Sequence, residues 1–188
     1  MAARAGHGNA AAVLDLRLAT DADVPAIAAL MERAIAHLQR GFLSDAEIAA
    51  SRAAMGLDRQ LIADGTYFVV EEGDALVGCG GWSFRATLYG GDAHAALRDA
   101  RRLDPASEAA RVRAMYTDPH HVRRGIGRLV LDHCEAAARY AGFTRVELMA
   151  TLAGEPLYAA CGYTPIERVA SMAATEVPVP GVRMGKAL

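Results

Sequence analysis

The residues best suited to chemistry lie between Met115 and Arg128, which read Met-Tyr-Thr-Asp-Pro-His-His-Val-Arg-Arg-Gly-Ile-Gly-Arg. An apolar strand ends at Asp118-Pro119, a short basic turn follows, and an amphipathic run from Leu129 to Ala141 starts just after Gly125-Ile126-Gly127. Glycines let main-chain N–H groups approach phosphate oxygens closely, and a helix N-terminus adds unpaired donors and a partial positive charge. Arg123, Arg124 and Arg128 add full charges. This stretch is read as a site for an anionic ligand carrying a pyrophosphate. The competing reading of Gly-x-Gly is a tight turn that allows close packing.

Two familiar phosphate sites do not fit. A dinucleotide turn wants Gly-x-Gly-x-x-Gly after the first strand, whereas position 130 is Val and the turn lies in the second half of the chain. A triphosphate loop wants Gly-Lys-Ser/Thr after four spacer residues, and that sequence is absent.

Tyr116-Thr117-Asp118-Pro119 together with Arg124-Gly125-Ile126-Gly127 resembles the acyl-CoA pyrophosphate loop of the GNAT superfamily of N-acetyltransferases, whose pattern is Gln/Arg-x-x-Gly-x-Gly/Ala. Downstream, Leu157-Tyr158-Ala159-Ala160-Cys161-Gly162-Tyr163 is similar to the family's ending, a Leu-Tyr pair followed by Gly and an aromatic. One helix and one strand separate the two motifs, as in the family. Val122 stands where the family usually has Gln or Arg, and Thr151 stands where Asn is common. The resemblance covers residues 13–188 and is strongest over 110–163.

The resemblance implies an α/β (α+β) fold, with a mixed, mostly antiparallel central sheet flanked by helices. It implies acetyl-CoA or coenzyme A as cofactor, bound by Met115, Tyr116, Thr117, Val122, Arg123, Arg124, Gly125, Ile126, Gly127, Arg128, Thr151 and Tyr158. The strand before the loop would be splayed from its neighbour, with main-chain groups of Met115 and Thr117 on the pantetheine arm and the Met115 amide on the thioester oxygen. Tyr158 would be the general acid toward the departing thiolate. The implied reaction moves an acetyl group to a primary amine of a small molecule by direct attack. An acyl-CoA-binding sensor without catalysis is the reading from another class; it needs the phosphate loop and not Tyr158.

A lysine-like ammonium, with a pKa near ~10.4, must lose a proton before it attacks. Glu147 and Glu32 are the candidates for that base, with water chains as the alternative. His120 and His121 adjoin the loop and are read as lining it, and no metal site is expected. Cys161 has no His beside it in a nucleophilic arrangement and is read as a structural thiol. On the acceptor side, Trp82, Arg85, Tyr89 and Arg113, with Arg111, are candidates for a wall receiving an amine with a nearby carboxylate or an aromatic body.

The elements that must position these groups alternate along the chain. Residues 1–12, rich in Ala and Gly, read as a disordered tail. Leu14, Leu16 and Leu18 alternate with polar residues as in a half-buried strand. Pro25 starts a helix carrying Ile27, Leu30, Met31, Ala34, Ile35 and Leu38, and Ser44 with Glu47 opens a second helix through a capping box. Tyr67–Glu71 and Leu76–Phe84 form a hairpin, Arg85–Ala109 is irregular with a lid as one reading, and Val112–Thr117 is the central strand. Then follow a helix over 127–141, a strand over 144–150, a short helix over 155–161, and strands near 165–172 and 182–187.

A net charge of -2 over 188 residues argues against a general nucleic-acid binder, since the arginines are local. Three scattered cysteines fit a reducing compartment, and neither a membrane span nor a signal peptide is apparent, so a cytoplasmic location is expected. Association as a homodimer is left open.

Overall fold

The computed structural model describes residues 13–92, 99–172 and 175–188. The expected disordered tail lies outside the described residues, as does part of the expected lid.

The first helical unit forms as its apolar spacing requires. A short turn at Asp21–Asp23 leads into α1 (Val24–Leu38), which buries Ile27, Leu30, Met31, Ala34 and Ile35 along one stripe. Helix α2 (Asp45–Ala54) begins at the expected capping box. The Glu47 amide donates to Ser44 Oγ (3.3 Å), and the Ser44 amide donates to Glu47 Oε2 (2.8 Å). Helix α3 (Arg59–Ala63) was not expected; it is five residues long, too short for a periodic signal, and is capped by Asp58.

The strands are β1 (Leu14–Leu18), β2 (Tyr67–Glu72), β3 (Ala75–Ser83), β4 (Ala110–Thr117), β5 (Arg145–Thr151), β6 (Thr164–Val169) and β7 (Gly181–Ala187). They form one sheet in the order β1-β2-β3-β4-β5-β7-β6. Every pairing is antiparallel except β4 with β5, so the sheet is mixed and mostly antiparallel, as expected. Between β4 and β5 runs the long helix α4 (Ile126–Tyr140); the short helix α5 (Glu155–Ala160) follows β5.

The two faces of the sheet carry separate cores. Helix α1 packs Ile27, Leu30 and Ile35 with Tyr67, Val69, Cys79 and Tyr116. Helix α4 packs Ile126, Val130, Leu131 and Cys134 with Val112, Val146, Leu148 and Met184. The approach of α4 depends on two residues of β3. A Cβ at Gly78 would lie 2.3 Å from Ile126 Cγ2, and one at Gly80 would lie 2.9 Å from Val130 Cγ1. Glycine here lets the helix settle on the sheet where its N-terminus is aimed. Among the described residues, no helix is long and apolar enough to cross a membrane.

That close approach gives a prediction. Gly78→Ala forces a methyl against Ile126, and overpacking of a filled core costs about 1–3 kcal/mol. Urea denaturation of both proteins should show a loss in that range, whereas an unchanged midpoint would mean that α4 has room to move.

Candidate active site

The site begins where the sheet stops being a sheet. β4 and β5 pair only at Ala110–Val146 and Arg111–Glu147, although β4 continues to Thr117 and β5 to Thr151. Beyond that point the parallel strands diverge into a V, and its gap is a cleft of about 610 Å³. Residues Val112 to Thr117 line one side, and Met149, Thr151 and α5 line the other. Main-chain N–H and C=O groups inside a protein require partners, so an unladdered gap in a sheet centre offers donors and acceptors to a ligand.

A bulge in β4 shapes the gap. The β3–β4 register shifts between Cys79 and Gly81, and Ala114 has φ 51°, a left-handed backbone that non-glycine residues rarely adopt. Such strain costs about 1–3 kcal/mol and persists only where the surroundings fix it. Here the buried Tyr67 hydroxyl donates to the Ala114 carbonyl at 2.8 Å. Gly80 lies opposite the bulge, and a Cβ there would meet Met115 Sδ at 2.6 Å.

At the open end of the V stands the N-terminus of α4. Its N-cap is Gly125, with φ 84° and no side-chain cap, and the first main-chain bond of the helix runs from the Leu129 amide to the Gly125 carbonyl at 2.9 Å. The preceding amides therefore face the cleft region with their donors unspent. Gly127 lacks a Cβ where one would lie 2.8 Å from Leu157 Cδ2.

The loop into this helix is anchored by charges. Asp118, 5% exposed, caps the turn Pro119–His121 by accepting from the His120 amide at 2.9 Å. It also accepts from Arg33 Nη2 of α1 at 2.8 Å and lies 3.3 Å from His121 Nδ1. Burial works against ionisation of Asp118, but the His120 amide, Arg33 and His121 outweigh it and hold the carboxyl below its ordinary range. Glu72, at the end of β2, takes Arg124 Nη1 at 2.8 Å and lies 3.2 Å from His121 Nε2. Its carboxyl is lowered chiefly by Arg124.

Tyr158 sits on α5 at the cleft, 8% exposed, its ring edge-to-face with Tyr163 at 5.9 Å. Its hydroxyl has no hydrogen bond to protein among the described residues, and burial pushes the phenol well up, so it holds its proton at neutral pH. Thr151 Oγ1 accepts from the Gly154 amide at 3.1 Å, which fixes the turn into α5.

The structure brings Met115, Tyr116, Thr117, Val122, Arg123, Gly125, Ile126, Gly127, Arg128, Thr151, Tyr158, Tyr89 and Arg113 to this one cleft, with His121. Five expectations need correction. Arg124 is turned to Glu72 and does not line the cleft. Trp82 is 6% exposed and packs on Phe84 and Phe143, because its position on β3 points into the α4-side core. Arg85 is bound to Asp64 at 2.7 Å and also lies outside the cleft. Glu147 shares a face of β5 with Met149 and Thr151, but it sits where β4 and β5 are still paired and is clamped by Arg111 (2.6 Å) and Arg183 (2.7 Å). It lines a separate shallow depression with Thr164 and Ile166. Glu32 is also displaced, being exposed and paired with Arg52. Among the described residues no Asp or Glu lines the cleft, and no cluster of three or more His, Cys, Asp or Glu side chains could hold a metal ion. Cys161 is half-buried and its thiol is pushed up by burial, opposite to the shift a nucleophile needs.

The sequence reading missed Gln39, Met55, Leu88 and Met172, which line the cleft away from the loop. Each looks like an ordinary core residue or end-of-helix residue, and no local pattern marks it.

A family model described as acetyltransferase (GNAT) domain matches residues 63–165, more than half of the chain. No curated protein matches the chain in sequence. Among solved structures, a GCN5-related N-acetyltransferase from Rhodopseudomonas palustris is similar at 18% identity and TM-score 0.67, over 93% of this chain and 95% of that one. PaiA N-acetyltransferase from Thermoplasma acidophilum, solved with coenzyme A, is 12% identical with TM-score 0.62, over 94% and 99% of the two chains. YncA from Salmonella typhimurium, solved with its cofactor acetyl-CoA, is 20% identical with TM-score 0.61, over 94% of each. At these identities the likeness is one of fold.

The Asp118 anchor gives a pH prediction. A carboxyl whose folded pKa is lowered contributes stability that is fully present above its unfolded value of 3.8 and is lost as pH falls through the folded value. Asp118→Asn should therefore be less stable than the parent at neutral pH, and the gap should close on acidification below 3.8. Chemical denaturation at a series of pH values measures this; a gap that does not change with pH would show that the anchor is not electrostatic.

Proposed function

Because the chain belongs to the GNAT acetyltransferase family, we propose that it moves an acetyl group from acetyl-CoA to a primary amine of a small molecule by direct attack on the thioester. The observation that carries this reading is the split between β4 and β5 ending at the uncapped N-terminus of α4. Two structural relatives solved with coenzyme A or acetyl-CoA support the choice of cofactor. So does the fit of this cleft to the group. The amides before Leu129 suit a pyrophosphate, the bare Gly127 admits its oxygens, and the V between the strands suits an extended amide-bearing arm.

Bound there, acetyl-CoA supplies an activated acyl carbonyl and a thiolate leaving group. The protein's own groups do the rest. The α4 N-terminus holds the diphosphate, with Arg123 and Arg128 at the same end of the cleft supplying charge. Main-chain groups of β4 beyond the bulge orient the arm, and the Met115 amide polarises the thioester oxygen. Tyr158, protonated at the cleft wall, would supply its phenolic proton to the departing thiolate. Among the described residues no carboxylate lines the cleft wall, so in this reading the proton of the amine is carried off by water.

Coenzyme A should raise the melting temperature, since a ligand that binds only the folded state stabilises it by about 2.7 kcal/mol at a hundredfold excess over its dissociation constant. Gly127→Glu should abolish that rise and leave the unliganded protein folded, because the nearest obstacle is the flexible end of Leu157 and the new carboxylate occupies phosphate space. Unaltered binding by the variant in calorimetry would make the loop structural.

Tyr158→Phe keeps the packing ring and removes one hydroxyl. A positioned proton donor contributes ~100- to 10,000-fold to rate, so kcat should fall steeply while CoA affinity stays nearly constant. Release of free CoA thiol across an amine library provides the assay. Turnover within about threefold of the parent, with chemistry rate-limiting, would assign the acid to water, since a lost donor is worth far more. CoA binding with no turnover of any amine would instead mark a sensor.

A further inference from the structure

Resting on the acetyltransferase reading above, we propose that the acceptor is a primary amine with an apolar body and no neighbouring carboxylate, selected by the side-chain carbonyl of Gln39. The cations once expected to meet an acceptor carboxylate are matched within the fold. Arg113 is 7% exposed, bonds Asp58 Oδ2 at 2.6 Å and donates to the Gly90 carbonyl. Arg85 is held by Asp64, and Arg111, which shares Glu147 with Arg183, lies outside the cleft, as Arg85 does. Arg123 and Arg128 belong to the phosphate end. A carboxylate buried at the acceptor end would thus bring a charge beside a pair that is already neutral, which is unfavourable away from water.

The wall that remains is apolar. Leu38, Met55, Leu88, Tyr89, Met149 and Met172 line it, and Tyr89 and Met149 pack against the buried pair Met172 and Val179. Methionine thioethers adapt to varied apolar shapes.

Gln39 is the exception in that wall. It follows the last turn of α1, lines the cleft and is 3% exposed. Its Nε2 donates to Ser51 Oγ at 2.9 Å and contacts Met55 Sδ at 3.4 Å, while Ser51 Oγ donates to the Ile48 carbonyl at 2.8 Å. That chain fixes which end of the amide faces Ser51. The other end, Oε1, has no hydrogen-bond partner among the described residues. A buried acceptor without a donor is costly; Oε1 is shielded from water in the empty cleft, and an N–H of the amine satisfies it once the adaptable Met55 side chain beside the amide gives way. A neutral acceptor also suits the chemistry. Apolar burial lowers an ammonium pKa, whereas a carboxylate in the same place would favour the charged, unreactive form.

The test compares 2-phenylethylamine, hexylamine and phenylalanine as acceptors with the full-length protein, reading CoA thiol release. The expected result is a kcat/KM at least about tenfold higher for either amine than for phenylalanine. Gln39→Leu should raise the amine KM about tenfold while the CoA dissociation constant, measured by calorimetry, is unchanged. Gln39→Glu, which keeps an oxygen but adds charge, should shift the pH optimum upward, because the ammonium form is held more tightly; a purely structural role for Gln39 would leave that optimum in place. Equal or better use of phenylalanine overturns the proposal while leaving the acetyltransferase reading standing, as does an unchanged amine KM in Gln39→Leu. Thiol release with none of the three acceptors, despite CoA binding, overturns this proposal, and the same silence across a wider amine library overturns the enzymatic reading as well.

Discussion

The arrangement depends on main-chain hydrogen bonds that β4 and β5 do not make. Two adjacent strands in the middle of a seven-stranded sheet ordinarily satisfy each other's polar groups along their length, and here they do so at two residue pairs only. What holds them apart is local. Ala114 turns the chain into a left-handed conformation, the Tyr67 hydroxyl stabilises its carbonyl, and Gly80 leaves space opposite. Within β4 the strain falls on Ala114, and beside it lies a run of main-chain donors and acceptors that β4 and β5 do not spend on each other.

The second requirement is that the basic end of the cleft stays in place by itself, as the proposed anion site needs. Clusters of arginine and bare helix amides repel one another when no phosphate is present. The fold answers with carboxylates placed just outside the cleft. Asp118 ties the loop to Arg33 of α1, and Glu72 of β2 holds it through Arg124 and His121. Arg124 is therefore an anchor, and Arg123 and Arg128 are the arginines of this run that line the cleft. A basic run in sequence divides by its partners into structure and site.

This division explains what was legible in the sequence. The helices α1, α2 and α4, the β2–β3 hairpin and the phosphate loop announce themselves through periodicity, a capping box and Gly-x-Gly, all of which are local signals. Tyr158, Thr151 and the loop residues other than Arg124 line the cleft, because each motif positions several neighbours at once. Trp82, Arg85 and Glu147 did not, since their roles are decided by partners far along the chain: Phe143 for Trp82, Asp64 for Arg85, and Arg111 with Arg183 for Glu147. Gln39 was invisible for the same reason, its meaning residing in Ser51 and in what its Oε1 lacks.

The acceptor end then follows from electrostatic economy. Asp58 and Arg113 are both almost fully buried, a placement that only mutual pairing makes tolerable. Their use is architectural: Arg113 reaches from β4 to the Gly90 carbonyl and Asp58 caps α3, so the pair fastens the loop carrying Leu88 and Tyr89 over the cleft. With both charges committed to that task, the proposed acceptor end is left largely apolar. Proton removal in such a chamber need not come from a strong base in its wall. Desolvation already disfavours the ammonium relative to the amine, so the packing proposed to select an apolar body would also prepare its nitrogen for attack.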